Sequence, residues 1–320
     1  MNIQREKARV AAISVASNST LVLLKLIVGI IVGSVSVISE AIHSGMDLLA
    51  AIIAFFAVKK AGKNADADHP FGHGKVENIS AFIEALLILV AAIWIIYEAV
   101  QKLINPHPLE IVGLGVAVMF VSSMVNFAVS QLLFKVGKKT DSPALIADGW
   151  HLRTDVYTSA GVMAGLGLVW VCEYVFGLKL YWLDPAVAIG VAILILRTSY
   201  RLTMHSIRDL IDTSTPAEET AWVRDYLTQL YPTLRSVHRL RTRKAGATRF
   251  IDLHLAVDSN MTVSESHRLA DQISSNIKAQ FPYADVILHI EPCDGSCSYA
   301  CNSGCLLTEE ERKSVHSPKE

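Results

Sequence analysis

The sequence predicts a membrane domain of six transmembrane helices, all α, followed by a small cytoplasmic α+β domain. Only 18% of the 320 residues are charged while 52% are apolar, against about 25% charged in soluble domains. Six apolar runs approach the ~20 residues that a helix needs to cross a bilayer. The composition then becomes polar at residues 212–216. We therefore divide the chain into a six-helix domain (1–212), an α+β domain (213–292) and a flexible tail (293–320).

Polar segments rich in lysine and arginine separate the predicted spans. The spans cover about residues 10–33, 35–58, 79–104, 109–134, 143–174 and 181–203. Lysine and arginine concentrate before the first span, between the second and third, and after the fourth. Because cytoplasmic loops carry the excess of positive charge, both termini are predicted to be cytoplasmic. The basic start has no small-residue cleavage site, so we interpret it as a retained helix of a multi-pass inner (plasma) membrane protein.

The region after the sixth span shows the periodicities of a small mixed domain. Residues 217–231 and 263–281 have helical patterns, whereas RSVHRLRTR, TRFIDLHLAV and DVILHIE alternate like strands. This order is αββαβ. Strand alternation places Ile251, Leu253, Leu255 and Val257 on a core face and His254 on the other face.

Charge and cysteine usage exclude two classes of protein. A net charge of −1 provides no basic field of the kind that nucleic-acid binding uses. Four of the five cysteines lie in one tail, so they do not form the disulfide framework of a small secreted protein. We expect no nucleic-acid partner.

Two pairs of ionisable residues lie inside predicted spans. His43 and Asp47 are four residues apart in the second span, and His151 and Asp155 repeat this spacing in the fifth. That spacing places both side chains on one helix face, and two such pairs offer the two imidazoles and two carboxylates of a tetrahedral metal site. The alternative is a hydrogen-bonded clamp between helices, but two copies of a buried charge favour a cation as compensation.

At these residues the sequence resembles the cation diffusion facilitator family, and it is similar to bacterial ferrous-iron and zinc efflux pumps. The resemblance extends from about residue 8 to 292 and includes DADHPFGHGKVEN and the strands HRLRTR, RFIDLHL and VILHIEPC. It implies a homodimer that exports divalent metal. Those pumps often have aspartate at the position of His43, so histidine there favours zinc over iron.

The resemblance implies further metal sites outside the spans. In the loop after the second span these are Asp66, His69 and His73, for which a solvated polar loop is an equal alternative on spacing alone. In the α+β domain the spacing by itself favours scattered surface histidines, but the family's metal-bridged cytoplasmic dimer implies a site. Its residues are His238, His254, His267, His289 and Glu291. Lys75 and Asp212 match positions that form an ion pair in similar proteins.

The tail carries cysteines at a strict four-residue step that is not part of the usual family pattern. Cys293, Cys297, Cys301 and Cys305 are soft ligands for zinc or copper(I). The spacing favours the alternative of a redox-labile disordered tail.

Together these features predict a metal/proton antiporter that is not an enzyme. Zinc is the first choice of cargo and a structural or regulatory ion, and cadmium, iron(II) and cobalt also suit the ligands. Imidazole binds protons and metal through the same lone pair, so protonation from outside would release the ion. The alternatives are a membrane-anchored metal sensor and an intramembrane metallohydrolase. An HExxH motif would favour the hydrolase, but the sequence does not contain one.

Overall fold

The chain folds into two compact units, which are described separately. The computed structural model describes residues 3–32, 35–104, 113–176 and 182–316. The membrane unit comprises Met1–Leu210 and the C-terminal unit comprises Ile211–Glu320. The end of the first predicted span at residue 33, the starts of the fourth and sixth at 109 and 181, and residues 317–320 of the tail lie outside the described residues.

The described part of the membrane unit consists of six long helices, as predicted. They are α1 (Ile3–Val32), α2 (Val35–Ala61), α3 (Lys75–Ile104), α4 (Gly113–Lys139), α5 (Pro143–Phe176) and α6 (Leu183–Leu210). Five of them are long and apolar enough, by length and composition, to cross a membrane. The other helix, α5, has 34 residues and carries His151 and Asp155. The predicted six-helix layout is confirmed.

Small residues allow close packing between these helices. Helix α1 packs on α2, α3 on α6, and α4 on α5. The buried side of α2 presents Ala50, Ala51 and Ala54, all fully buried. Without a hydrophobic driving force between helices in lipid, such close approach maximises van der Waals contact. This packing holds α2 and α5 beside each other.

A buried ion pair connects three parts of the membrane unit. Lys7 Nζ on α1 lies 2.5 Å from Glu77 Oε1 on α3, and the Ser142 hydroxyl, just before α5, donates to the other Glu77 oxygen. The three side chains are almost completely buried. These three residues therefore connect α1, α3 and the start of α5.

The C-terminal unit contains the predicted αββαβ module. Its elements are α7 (Ala217–Thr228), β1 (Leu234–Ala245), β2 (Thr248–Asp258), α8 (Val263–Gln280) and β3 (Ala284–Cys293). The sheet order is β1-β2-β3, with β1 antiparallel and β3 parallel to β2. A parallel pair needs a long crossover, and α8 supplies it. The fold prediction is confirmed.

The core of this module lies between one sheet face and its helices. Residues Ile251, Leu253 and Leu255 of β2 are buried, and they belong to the same core as Val223 of α7 and Ile273 of α8. The predicted core face is therefore confirmed. The opposite face carries polar side chains such as His254 and Glu291 together with the exposed Ile287.

The tail after β3 is more structured than the predicted flexible segment. It contains the short helices α9 (Tyr299–Ser303) and α10 (Glu309–His316). The Val237 amide of β1 donates to the Gly304 carbonyl at 2.9 Å, and the Leu306 amide donates to the Arg235 carbonyl at 2.8 Å. Strand β1 lies at the sheet edge, where unpaired backbone groups accept a further chain segment. Composition alone does not reveal such pairing.

Replacing Gly304 by alanine should release the tail from β1. An alanine Cβ there would lie 1.9 Å from the Val237 carbonyl oxygen. This is a steric clash, so the tail backbone must move away from β1. We expect limited proteolysis at Arg312 or Lys313 to become about tenfold faster, which corresponds to ~1.4 kcal/mol of lost docking free energy. The matched control is Ser303→Ala, which removes a hydrogen bond inside the tail. Equal cleavage rates in both variants would contradict this close contact.

Candidate metal sites

Helices α2 and α5 bring together the residues that the sequence predicts for a metal site within the membrane. The ligand atoms of His43, Asp47 and Asp155 all lie within 4.8 Å of one another. His43 and Asp47 stand on one face of α2 because they are four residues apart. Asp47 is buried, Asp155 is half-buried and His43 is exposed. Three predicted ligands therefore form a compact group.

The fourth predicted residue, His151, joins this group through Asp47. Its Nε2 lies 3.1 Å from Asp47 Oδ1, and its ring is buried. The other ring nitrogen, Nδ1, is buried and makes no hydrogen bond with the described residues. Two imidazoles and two carboxylates are a donor set that suits tetrahedral zinc, so the residues fit a divalent cation as cargo. We call these four residues, which the sequence analysis predicts as the metal site of an exporter, the transport site.

Three polar side chains in the membrane helices escaped the sequence analysis. Asn126 Nδ2 on α4 lies 3.4 Å from Asp155 Oδ2. Lys25 Nζ on α1 donates to Ser44 Oγ, next to His43, at 2.7 Å. Glu84 on α3 is fully buried. Each is a polar residue inside an apolar run, which is the signal that identifies functional candidates in membranes.

The loop between α2 and α3 brings its three predicted ligands together. The ligand atoms of Asp66, His69 and His73 lie within 4.8 Å of one another. The His69 amide donates to Asp66 Oδ1 at 2.8 Å, and Gly72 adopts φ +79°, a conformation that glycine tolerates best. The loop therefore closes on itself in a tight turn.

His73 is the observation that supports a metal in this loop. Its ring is buried, and among the described residues neither ring nitrogen makes a hydrogen bond, although Nε2 lies 3.3 Å from Asp66 Oδ2. Burial of a polar group without a partner is costly. Desolvation would raise the pKa of Asp66, but hydrogen bonds from His69 and the charge of His73 outweigh it, so this pKa is lowered. An ionised carboxylate beside an imidazole whose ring nitrogens make no hydrogen bond with the described residues fits a metal ion.

Strand register places one histidine from each strand in a row on the polar sheet face. His238 of β1 pairs with His254 of β2, which pairs with His289 of β3. Neighbouring rings are separated by 5.4 and 4.6 Å between centroids. Residue Glu291 lies two positions beyond His289 and therefore shares its face. We call these four residues the sheet cluster.

Glu291 is the centre of the sheet cluster. Its Oε1 lies 2.7 Å from His254 Nδ1 and 3.5 Å from His289 Nε2, and its Oε2 lies 3.2 Å from His238 Nε2. The ligand atoms of His238, His254 and Glu291 lie within 4.8 Å of one another.

The protonation states of the sheet cluster also suit a metal. Burial would raise the pKa of Glu291, but the hydrogen bond with His254 and the charge of His238 outweigh it, so the pKa is lowered. Desolvation lowers the pKa of His238, and Glu291 only partly offsets this. At neutral pH these shifts favour a carboxylate and a neutral imidazole, the forms that bind metal.

Sequence models of two domains of cation efflux proteins match the chain. The model of the cation efflux transmembrane domain matches residues 11–211, and that of the cation efflux protein cytoplasmic domain matches residues 215–293. The chain belongs to the cation diffusion facilitator family. Its members are cation efflux transporters, so the transport site lies in a multi-pass membrane protein that moves cations.

Two curated relatives match almost the whole chain, and a solved structure matches a part of it. An uncharacterised transporter of Synechocystis sp. is 35% identical over 289 residues, which cover 90% of this chain and 91% of that protein. The cation-efflux pump FieF of Klebsiella pneumoniae is 32% identical over 287 residues, which cover 89% of this chain and 92% of that protein. The solved metal-bound C-terminal domain of the CzcD transporter from Thermotoga maritima is 26% identical, with a TM-score of 0.22, and covers 24% and 94%.

The structure does not bring every predicted site residue of this cation diffusion facilitator into a cluster. His267 on α8 is exposed and lies 3.5 Å from Asp271, outside the group of His238, His254 and Glu291. Lys75 donates to the Leu210 carbonyl at 3.2 Å, and Asp212 lies 3.4 Å from Arg243 Nη1. Because Lys75 and Asp212 belong to different units, their ion pair stays a prediction.

Replacing Glu291 by glutamine should weaken zinc binding at the sheet cluster. Glutamine keeps the shape but loses the charge that contacts three imidazoles. We expect one class of bound zinc to weaken at least tenfold, because even a residue behind the metal ligands accounts for about 10–100-fold in affinity. Chelator competition on the full chain measures this. The control Glu309→Gln alters an exposed carboxylate on α10, and equal loss in both variants would contradict the assignment.

Proposed function

We propose that this cation diffusion facilitator exports a divalent metal ion, zinc before cadmium, iron(II) or cobalt, by metal/proton antiport. The transport site alternately faces the cytoplasm and the outside, as in transporters whose binding site stays fixed while the helices around it tilt. The observation that carries the proposal is the convergence of His43, Asp47 and Asp155 within 4.8 Å, with His151 against Asp47.

The donor set supports zinc as the cargo. Zinc is commonly bound by imidazole nitrogen and carboxylate oxygen in four-coordinate sites. Carboxylates and water, by contrast, are the ligands preferred by harder cations such as magnesium and manganese. Histidine at position 43 adds a second imidazole where similar pumps often carry aspartate.

Proton coupling follows from the same ligands. Imidazole titrates near neutral pH, with an unperturbed pKa of about 6.5, and a protonated ring cannot bind metal. Protons that enter from outside compete with the ion for His43 and His151. Asp47 and Asp155 neutralise the charge of whichever cation is bound.

The accessory clusters support a regulated homodimer. We assign zinc to the loop cluster (Asp66, His69 and His73) and to the sheet cluster, where it acts as a structural or regulatory ion. His267 would serve a further ion or an ion shared between subunits. The predicted ion pair of Lys75 with Asp212 is part of this proposal. Both termini would then be cytoplasmic in an inner membrane, where the sheet cluster senses cytoplasmic metal.

Metal selectivity tests the role of His43. Substitution of His43→Asp replaces a nitrogen ligand by a hard oxygen ligand, so the preference should move from zinc toward iron(II). We expect the ratio of zinc to iron(II) transport to fall roughly tenfold, a change of ~1.4 kcal/mol in relative binding. Uptake of both metals into sealed vesicles measures the ratio. The control Ile42→Val changes an adjacent exposed residue and should keep the natural ratio; an unchanged ratio in His43→Asp would remove this residue from the ligand set.

Vectorial flux separates the transporter from the other two functions. A metal sensor binds zinc without moving it across the bilayer, and a metallohydrolase needs an open coordination position and an activated water. Zinc accumulation in sealed vesicles against its own gradient, driven by a pH gradient, supports transport. Zinc binding without accumulation would support the sensor or the hydrolase.

A further inference from the structure

The four tail cysteines are brought to one side of the C-terminal unit. Cys293 ends β3 and is buried. Cys293, Cys297 and Cys301 line one cavity, and Cys305 forms a backbone bridge with Ser236 of β1. All four are free thiols. Cys293 and Cys301, which are eight positions apart in sequence, therefore face the same space.

Two local devices reverse the chain between these cysteines. The Ser296 amide donates to Asp294 Oδ1 at 2.9 Å, and Gly295 between them adopts φ +94°. The Cys301 amide then donates to Ser298 Oγ at 3.2 Å, which caps the start of α9. The turn and the cap together direct Cys297 and Cys301 back toward Cys293.

Strand β1 fixes the far end of this loop. Ser236 Oγ donates to the Cys301 carbonyl at 2.9 Å, and Ser236 forms an isolated antiparallel bridge with Cys305. Gly304 lies so close to Val237 that no side chain fits between them. Backbone contacts therefore hold two of the four cysteines against the sheet.

A cavity of about 180 Å³ lies between the loop and the sheet. Cys293, Cys297 and Cys301 line it together with His238 and Glu291. The cavity wall thus presents three thiols, an imidazole and a carboxylate, which are all groups that bind transition metals. The cavity also borders the sheet cluster.

We propose that Cys293, Cys297, Cys301 and Cys305 bind one soft divalent cation, zinc or cadmium, in a tetrathiolate site separate from the sheet cluster. Four thiolates in tetrahedral geometry are an established zinc-binding set, with Zn–S bonds of about 2.3 Å. Each thiol releases its proton to solvent as its sulfur–metal bond forms. This site does not depend on transport.

Binding requires the loop to contract around the ion. Among the described residues, the groups whose ligand atoms all lie within 4.8 Å of one another include none of these cysteines. The cavity provides the space for this movement. Contraction would hold residues 294–305 on β1 and close the side of the cavity that borders His238 and Glu291.

Redox signalling is the competing role, and the thiol environments do not favour it. Burial raises the pKa of Cys293, and burial together with the neighbouring Cys301 raises the pKa of Cys297. Reactive and redox-sensing cysteines instead have lowered pKa values in electropositive surroundings.

Cadmium titration of the full chain in detergent tests the site. Thiolate-to-cadmium charge transfer absorbs in the near ultraviolet, whereas imidazole and carboxylate ligands give no such band, so the other metal sites stay silent. We expect an absorption increase that saturates at one cadmium per chain with the intensity of four thiolates. Cys297→Ser with Cys301→Ser should abolish at least half of it. Cys172→Ser, which removes the cysteine of α5, should leave it unchanged.

Three results would overturn the proposal. One is the absence of a charge-transfer band in the natural sequence, and another is a band that keeps its full intensity in the double serine variant. The third is loss of the four free thiols to disulfides in a glutathione buffer of cytosolic composition. Limited proteolysis of the tail without metal shows whether the double variant keeps the native docking. If the double variant loses this docking, the single variants Cys297→Ser and Cys301→Ser replace it in the titration, and each is expected to lose the signal of one thiolate.

Discussion

Substitution of Asp155→Ala should reduce zinc transport at least about a hundredfold while leaving a folded dimer. Asp155 is one of three residues whose ligand atoms lie within 4.8 Å of one another, and losing a direct ligand should cost more than the roughly 10–100-fold seen for residues behind the ligands. Asp47→Ala should have the same effect and also remove the partner of His151. Zinc uptake into proteoliposomes and size-exclusion chromatography measure activity and assembly.

Graded controls separate ligand loss from general damage. Asn126→Ala removes a side chain 3.4 Å from Asp155 and should reduce transport about tenfold, in the range for a residue that orients a ligand. Asp225→Ala, on the exposed surface of α7, should transport normally. Retained efflux in Asp155→Ala would remove this residue from the transport site.

Substitution of Glu77→Gln should destabilise the membrane unit strongly. Lys7 would keep its charge in a buried position without the carboxylate that lies 2.5 Å from it. Breaking a buried ion pair in this way costs about 3–5 kcal/mol, which corresponds to roughly 10 °C in the unfolding midpoint of a unit of this size. Thermal unfolding in detergent, followed by circular dichroism, measures the midpoint.

Two further variants identify the cause of that loss. Glu6→Gln breaks the Glu6–Lys139 pair, in which the lysine side chain is 60% exposed, and should change stability by only ~0–1 kcal/mol. The double variant Lys7→Met with Glu77→Gln removes the buried charge and should recover much of the loss. A double variant as unstable as Glu77→Gln would show that the lysine charge is not the cause.

Periodicity and helical spacing predicted most of the architecture. The αββαβ order and the buried face of β2 follow from alternation in segments such as TRFIDLHLAV, and the transport site follows from the four-residue step of His43–Asp47 and His151–Asp155. The strand alternation and each histidine–aspartate pair rest on local geometry, whereas the meeting of the two pairs depends on the packing of α2 against α5. The sheet cluster needed the family resemblance, because only strand register shows that His238, His254 and His289 lie side by side.

Long-range pairing limited the remaining predictions. The partnership of Lys7 with Glu77 spans 70 residues, and no local pattern connects them. The docking of the tail on β1 depends on backbone groups and on the space that Gly304 leaves, which composition does not reveal. Asn126 contacts Asp155 because α4 packs on α5, a contact that spacing within one helix cannot predict.

The most direct test of the transport mechanism is simultaneous measurement of internal zinc and internal pH in proteoliposomes with an imposed pH gradient. We expect zinc to enter the acidic lumen as protons leave, and the internal zinc concentration to exceed the external one. In liposomes with the Asp155→Ala variant we expect no zinc accumulation and no zinc-driven change in internal pH. Zinc movement down its own gradient with no change in internal pH would contradict metal/proton antiport.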